Sequence, residues 1–437
     1  MSKNNLTKFL KKYYEVIFFL ILSIEQQERY ALTMIKRDLY INRIRPFFNR
    51  DIVKVLTGVR RCGKSVLLEL IKEELIDLGI KQANFMSVNF ESKAHSFVNS
   101  VDETYSAIKN FSSSVDGKIY LFFDEIQELD GWETMINSCM IDFDVDIYLT
   151  GSNAKMLSGE LSTYLAGRYV EFKIYPFSFQ EVLSISKMNF KEIDIRSLFQ
   201  IYLKRGGMPF LYQFEMDDNN ARQYLSDLFD SIILKDITQR NKIRDIELLK
   251  RIIQYFILNI GNTFSSANIV KYLKSEKRSL STETIYNYIE YCKSACLLHL
   301  VSREDVIGKR ILQFHEKIFM VDHGIREAIY SSNLRDINQV LENVIYMELL
   351  RRGNQVFIGK NNENEIDFIA IQGSSKIYVQ VIYLLASAET IEREFSVLES
   401  VPDNFPKYVV SMDEIDMSRN GIIHMNIRDF LLNDRGY

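Results

Sequence analysis

The sequence predicts an α/β protein whose first folded unit is a parallel sheet carrying a phosphate-binding loop. Three observations predict it. From residue 51 onward, apolar strand-length runs alternate with segments of helical period. The stretch Gly58-Val59-Arg60-Arg61-Cys62-Gly63-Lys64-Ser65 sits between one such strand and one such helix. A later apolar strand, Ile119–Phe123, runs straight into Asp124-Glu125. Strands alternating with helices imply a parallel sheet covered on both faces.

Taken in order, Ile52–Thr57 reads as a short buried strand. Lys64–Leu78 follows as a helix, with Val66, Leu67, Leu70, Ile71, Leu75 and Leu78 at helical spacing. Asn84–Asn89, Ile119–Phe123, Asp146–Thr150 and Val170–Ile174 supply four more strands, and Trp132–Ile141 a helix. Beyond Pro176 the pattern turns helical, broken at Gly206-Gly207-Met208-Pro209. Residues 262–300 read as short helices followed by strand-like Leu297–Val301 and Ile318–Val321, an order that suits a winged helix. A helix over Leu341–Arg352 and strands at Gln355–Ile358, Glu365–Ile371 and Lys376–Ile382 return the chain to mixed α/β. The expected divisions are an N-terminal extension (1–33), a P-loop core (34–180), a helical and winged-helix region (181–330) and a C-terminal domain (331–437).

Composition narrows the class. At roughly 100–200 residues per domain, 437 residues suit several domains. With 47% hydrophobic and 26% charged residues the chain reads as an ordinary globular protein. A formal charge of -4 gives no global positive field toward nucleic acid or an anionic membrane. Cys62, Cys139, Cys292 and Cys296 form no CxxC pair, so a disulfide scaffold is not expected and a reducing cytoplasm fits. The apolar run Val16–Ile24 is too short to span a bilayer, and Met34 looks like the start of the folded part. The five histidines show no metal-ligand spacing and are read as structural.

The chemistry concentrates in four places. Residues 58–65 match GxxxxGK[ST]. In such a loop backbone N–H groups wrap phosphates and the helix N-terminus adds partial positive charge. Gly58 through Val66 would cradle the nucleotide, Lys64 would reach the β- and γ-phosphates, and Ser65 would ligate Mg²⁺. Asp124 would hold the same Mg²⁺, and Glu125 would polarise the attacking water, which favours hydrolysis over transfer. In Thr150-Gly151-Ser152-Asn153, Asn153 is the favoured γ-phosphate sensor, with Ser152 open and helix N-capping the plain alternative. Arg168 could stabilise charge on the γ-phosphate, in cis or from a neighbouring subunit of an oligomer, or serve a structural bond.

Together these motifs resemble one family. Gly58–Ser65 with its paired arginines, LFFDEIQ at Leu121–Gln127, LTGSNA at Leu149–Ala154, LAGRY at Leu165–Tyr169 and GGMP at Gly206–Pro209 occur in the same order in the AAA-14 type of AAA+ ATPase with a C-terminal DUF4143 domain. The likeness covers about residues 34–437. It implies an additional-strand (ASCE, AAA+-like) P-loop NTPase core binding ATP and Mg²⁺, then a helical and winged-helix region, then a PD-(D/E)xK nuclease-like α/β domain.

Two further readings follow. Lys271, Lys274, Lys277 and Arg278 precede the helix Thr282–Cys292 and could meet DNA phosphates, although Glu283 and Glu290 on that helix oppose it. Set against the nuclease pattern, the candidates are Glu348, Asp367 and Gln380, with Ile382 where the lysine belongs. That predicts an inactive nuclease fold kept for binding or packing. The main expectation is an ATPase that moves its C-terminal modules. The alternatives are a nucleotide-gated regulator of DNA or a protein partner, a nuclease and, weakest, a small-molecule kinase.

Overall fold

The computed structural model describes residues 35–92, 100–152, 167–189, 193–213, 217–275, 280–306, 310–330, 336–361 and 364–433. The chain opens with α1 (Asp38–Ile44) and β1 (Val53–Thr57), then α2 (Lys64–Asp77), β2 (Phe85–Asn89), α3 (Val101–Ser114), β3 (Ile119–Asp124), α4 (Trp132–Asp142), β4 (Val145–Gly151) and β5 (Tyr169–Lys173). The five strands form one sheet in the order β2-β3-β4-β1-β5, parallel throughout. β4 therefore lies between the strand feeding the glycine loop and the strand ending in Asp124, the additional-strand arrangement expected.

Side chains alternate across this sheet, and both faces are apolar. Leu56, Phe122 and Tyr148 pack with Leu67, Leu70 and Ile71 of α2 on one face. Val55, Leu121, Phe123 and Leu149 pack with Met135, Ile136 and Cys139 of α4 on the other. Covered on both sides, the strands read as unbroken apolar runs. Lys54 is one charged exception, buried in β1 and paired with Asp146 of β4.

The helical region follows: α5 (Phe179–Asn189), α6 (Ile195–Arg205), α7 (Asp218–Ser231), a π-helix (Ile232–Gln239), α8 (Ile246–Leu258), α9 (Ser266–Ser275) and α10 (Thr282–Ser294). Next come β6 (Leu298–Asp305), β7 (Arg310–Met320), α11 (His323–Ile329), α12 (Ile337–Arg351), β8 (Gln355–Asn361), β9 (Asn364–Gln372), β10 (Ser375–Val381), α13 (Ala388–Glu399), β11 (Lys407–Ser411), β12 (Ile422–Asn426) and α14 (Ile427–Leu432). These strands form a second, mixed sheet of seven, ordered β12-β11-β10-β9-β8-β6-β7.

That order corrects the boundary expected at 330/331. The helices-then-hairpin sequence is present, but β6 pairs in parallel with β8, Arg303 opposite Ile358 and Asp305 opposite Lys360. The hairpin is the end of the C-terminal sheet and not a free wing. Its free edge alone could not show this, because β-pairing is decided by the partner strand.

The GGMP turn is the joint between the units. A Cβ on Gly207 would stand 2.1 Å from the Phe177 carbonyl oxygen, and one on Gly324 would stand 2.1 Å from that of Arg205. Asp322 accepts from the Gly207 N–H at 2.7 Å, and Gly207 accepts from Phe177 N–H at 2.7 Å. The chain leaving the core, the helical region and the C-terminal unit thus cross at backbone contact. A residue with a side chain does not fit.

Candidate nucleotide site

The carboxyl ends of β1, β3 and β4 meet at one edge of the parallel sheet. Thr57 lies opposite Gly151 in the pairing register. The loop 58–63 turns back over this edge because Gly58 passes so close to β5 that a Cβ would sit 2.2 Å from the Ile174 oxygen. Arg61 and Gly63 complete the loop in left-handed conformations, φ 67° and 99°. Cys62 is buried and its thiol donates to Ile174 O at 3.3 Å, which ties the loop to the sheet. Ser65 and Val66 open α2, placing free backbone N–H groups beside the loop.

Lys64 is buried, and its Nζ donates to Gly58 O at 3.0 Å and Val59 O at 3.3 Å. It stands 3.6 Å from Glu125 Oε1. Asp124 is held by three groups: Thr150 Oγ donates at 2.5 Å, Asn89 Nδ2 donates at 2.9 Å, and the Ser65 hydroxyl hydrogen-bonds it. Burial holds its carboxyl above the usual range against those bonds. Glu125 is different. Burial would raise it too, but Lys64 first, then Gln127, Arg60 and Ser152, hold it below the usual carboxylate range. It is also a non-glycine residue at φ 51°, a costly conformation that turns its carboxylate back toward Lys64. Its N–H donates to Thr150 Oγ at 2.9 Å, so one threonine orients both acids.

Ser152 is fully buried and hydrogen-bonds Glu125. It also meets Asp236 Oδ1 at 3.3 Å and Arg240 Nη2 at 3.3 Å. Asn153, the favoured sensor, lies outside the described residues; so do Lys277 and Arg278.

Arg168 requires a correction. It precedes β5, and its carbonyl accepts from Val53 N–H at the first residue of β1. Its guanidinium donates to Asn137 at 2.9 Å. It therefore sits at the opposite edge of the sheet, five strand residues from the loop at ~3.3 Å each. A cis role on a phosphate at Gly58–Ser65 is out of reach.

Sequence reading missed Thr150, Asn89, Asp236, Arg240 and Arg37. Buried Arg37 clamps the loop from behind, donating to Cys62 O at 3.1 Å, Tyr175 O at 2.8 Å and Glu181 at 2.7 Å. Each acts through a contact between distant segments, and only Thr150 carried a signal, as part of LTGSNA. A cavity of about 370 Å³ opens beside Gly58 and Val59, walled by Lys173–Tyr175 and by Glu290, Lys293 and Ser294 of α10. The C-terminal end of α10 thus faces the P-loop core, while Lys271 and Lys274 on α9 are exposed.

The C-terminal acids are also rearranged. Glu348 binds Arg351 at 3.2 Å and Arg352 at 2.8 Å and is spoken for. The acid of α12 that faces Asp367 is Glu342, whose charge, after burial, pushes the Asp367 carboxyl well up. Gln380 lies beside Asp367, its Oε1 accepting from Asp367 N–H at 3.2 Å and its Nε2 donating to Glu394 at 2.8 Å. Position 382 is isoleucine, and the lysine that reaches these acids is on β7. Lys317 Nζ lies 2.6 Å from Glu365, 3.3 Å from Glu342 and 4.0 Å from Asp367. Its ammonium lies among these three carboxylates, and among the described residues no three acids, cysteines or histidines are arranged to hold a metal.

Residues 50–183 match the AAA_14 family model, described as an AAA domain. A protein of Haemophilus influenzae is 36% identical over 400 residues, 91% of this chain and 99% of its own length. The chain belongs to the AAA-14 type of AAA+ P-loop proteins. Another relative, MJ1544 of Methanocaldococcus jannaschii, is 29% identical over 87% of each chain. Both relatives carry the description uncharacterised. Residues 196–338 of this AAA-14 chain match a domain of unknown function, DUF8612, which spans the helical region and the hairpin. Among solved structures, the Aeropyrum pernix ORC1 protein in complex with DNA aligns at TM-score 0.32 and 12% identity, over 69% of this chain and 95% of its own. The Thermotoga maritima RuvB branch migration motor aligns at 0.31 and 18%, over 60% and 86%. No described helix is long and apolar enough to cross a membrane.

Proposed function

We propose that this protein binds ATP with Mg²⁺ at Gly58–Ser65 and hydrolyses it, and that the cycle shifts the core against the C-terminal modules. One observation carries the reading. Lys64, Ser65, Asp124, Glu125 and Thr150 converge on a single sheet edge although 86 residues separate the first from the last. The residues fit Mg²⁺: an exposed hydroxyl, Ser65, touches a carboxylate, Asp124, and both are hard oxygen donors. When bound, the ion would neutralise charge on the β- and γ-phosphates. Lys64 would move its ammonium from the loop carbonyls toward those phosphates. Glu125, kept ionised by Lys64, Gln127 and Arg60, would accept a proton from the attacking water.

The helical region and hairpin would carry the motion outward across the GGMP joint, in the cytoplasm, with the nuclease-like C-terminal sheet serving packing or binding. ATP turnover by wild type, K64A and E125Q, with and without DNA, tests the reading. Turnover should vanish in K64A, and E125Q should bind ATP without turning it over. Undiminished turnover in E125Q removes Glu125 as the base.

A second reading is a nucleotide-gated binder of DNA or a protein with little hydrolysis. The Lys64–Glu125 pair favours it, because it occupies the base in this state. Salt-dependent DNA binding that changes with ATP supports the DNA form, through exposed Lys271 and Lys274.

A further inference from the structure

The helical region reaches the phosphate end of this site through one buried carboxylate. Asp236 lies on the π-helix, its side chain 1% exposed. Its two oxygens accept from one arginine of the phosphate loop, Arg60 Nε at 3.0 Å and Nη2 at 3.2 Å. The same carboxylate accepts from Ser152 Oγ at 3.3 Å, next to the strand end that orients Glu125. Arg240, one turn on, stands 3.6 Å from Asp236 and donates to Ser152 at 3.3 Å. Since Arg240 donates into the Ser152 oxygen, the single hydroxyl proton faces two acceptors, Glu125 and Asp236. Residue 236 therefore grips two of the segments that frame the site, from 176 and 84 positions away in sequence.

Stability alone does not call for this arrangement. A buried ion pair usually gains little over an apolar pair of similar volume. The π-helix holding it is a rare form that recurs at functional sites. Arg60's other acidic partner, Glu91 at 3.1 Å, lies on the core and is 41% exposed, so Asp236 is its buried link to the helical region.

We propose that Asp236 is a positioning residue for ATP turnover: it holds Arg60 and Ser152 about Glu125, so the reaction proceeds only while the π-helix is docked on the phosphate loop. The inference rests on the reading of Gly58–Ser65 as an ATP site. It makes the helical region a control element, because anything that draws the π-helix away releases Arg60 and Ser152 together.

The test uses the full chain. Turnover and the affinity for a fluorescent ATP analogue are measured for wild type, D236N, R60Q and the double variant, with thermal unfolding alongside. D236N should lower kcat at least about tenfold while the analogue's Kd moves less than about threefold. The double variant should be no slower than D236N within about twofold, since D236N already releases Arg60 along with Ser152. Were D236N not to fold, R60Q, changed at a partly exposed position, should lower kcat on its own with the analogue's Kd again moving less than about threefold. Unchanged turnover, a loss carried by Kd, or losses that multiply in the double variant overturns the proposal alone. A wild type that binds ATP without turnover also overturns it. A wild type that binds no ATP overturns the ATP reading as well, so the two failures are distinct.

Discussion

Replacing Lys317 with Met tests whether the C-terminal acidic centre is held by charge. The substitution keeps the aliphatic stem, so the cavity left behind is small. It removes an ammonium 6% exposed that lies within 4.0 Å of Glu365, Glu342 and Asp367. Breaking a buried pair from one side costs about 3–5 kcal/mol. The cost should depend on pH with a defined sign. Burial first, then the neighbouring carboxylates, raise Glu342 and Asp367 already in the wild type. Without Lys317 the folded centre would retain an extra proton that the unfolded chain releases above its ordinary carboxylate range. Stability then recovers as pH falls, by about 1.4 kcal/mol per pH unit for each proton. Urea unfolding followed by far-ultraviolet circular dichroism, each variant against wild type at the same pH, should show a large deficit at pH 8 and little at pH 5. The single tryptophan, Trp132, lies in the P-loop core and is the wrong reporter. Equal deficits at both pH values would mean that Lys317 contributes packing and not charge.

Three other perturbations follow from the same geometry. R168A should leave turnover per chain within about twofold and lower stability by about 1 kcal/mol through the lost Asn137 bond; a tenfold loss of turnover that depends on protein concentration would show a role in a neighbouring subunit. G207A forces a Cβ to 2.1 Å from Phe177 O and should destabilise by about 3–5 kcal/mol in urea unfolding, whereas native stability would refute the close joint. His299, buried beside Lys173 and Lys293, has its pKa pushed down to about 4, so the unfolded state binds the proton first as pH falls from about 6.5. Stability should therefore drop by up to about 3 kcal/mol between pH 6.5 and 4, and H299Q should flatten that slope; an unchanged slope assigns the loss to other groups.

The phosphate loop was legible because its geometry is written locally. Gly58 and Gly63 occupy positions that only glycine fills easily, and the strand-end acids Asp124 and Glu125 follow from one apolar run. Arg168 failed on polarity: a residue before a parallel strand lies at the edge away from the loop, which the strand assignment already implied. Glu348 failed on helical phase. Six residues at about 100° each turn the face by about 240°, so Glu342 and Glu348 of α12 point to different neighbours, Lys317 and Arg352. Asp236 carried no local signal, since its meaning lies in a contact with Arg60 across 176 positions.

The parallel pairing of β6 with β8 also decides how this chain can be taken apart. A fragment starting near residue 331 would keep five strands of the seven and bare the β8 edge along Ile358–Lys360. An opened edge of that kind recruits other chains and invites aggregation. A cut before β6, near residue 297, would leave the sheet whole and sever the chain on the helical side instead. The practical unit of dissection is therefore not the one that the helix-then-strand rhythm of the sequence suggests. A soluble C-terminal fragment is to be sought with its hairpin attached.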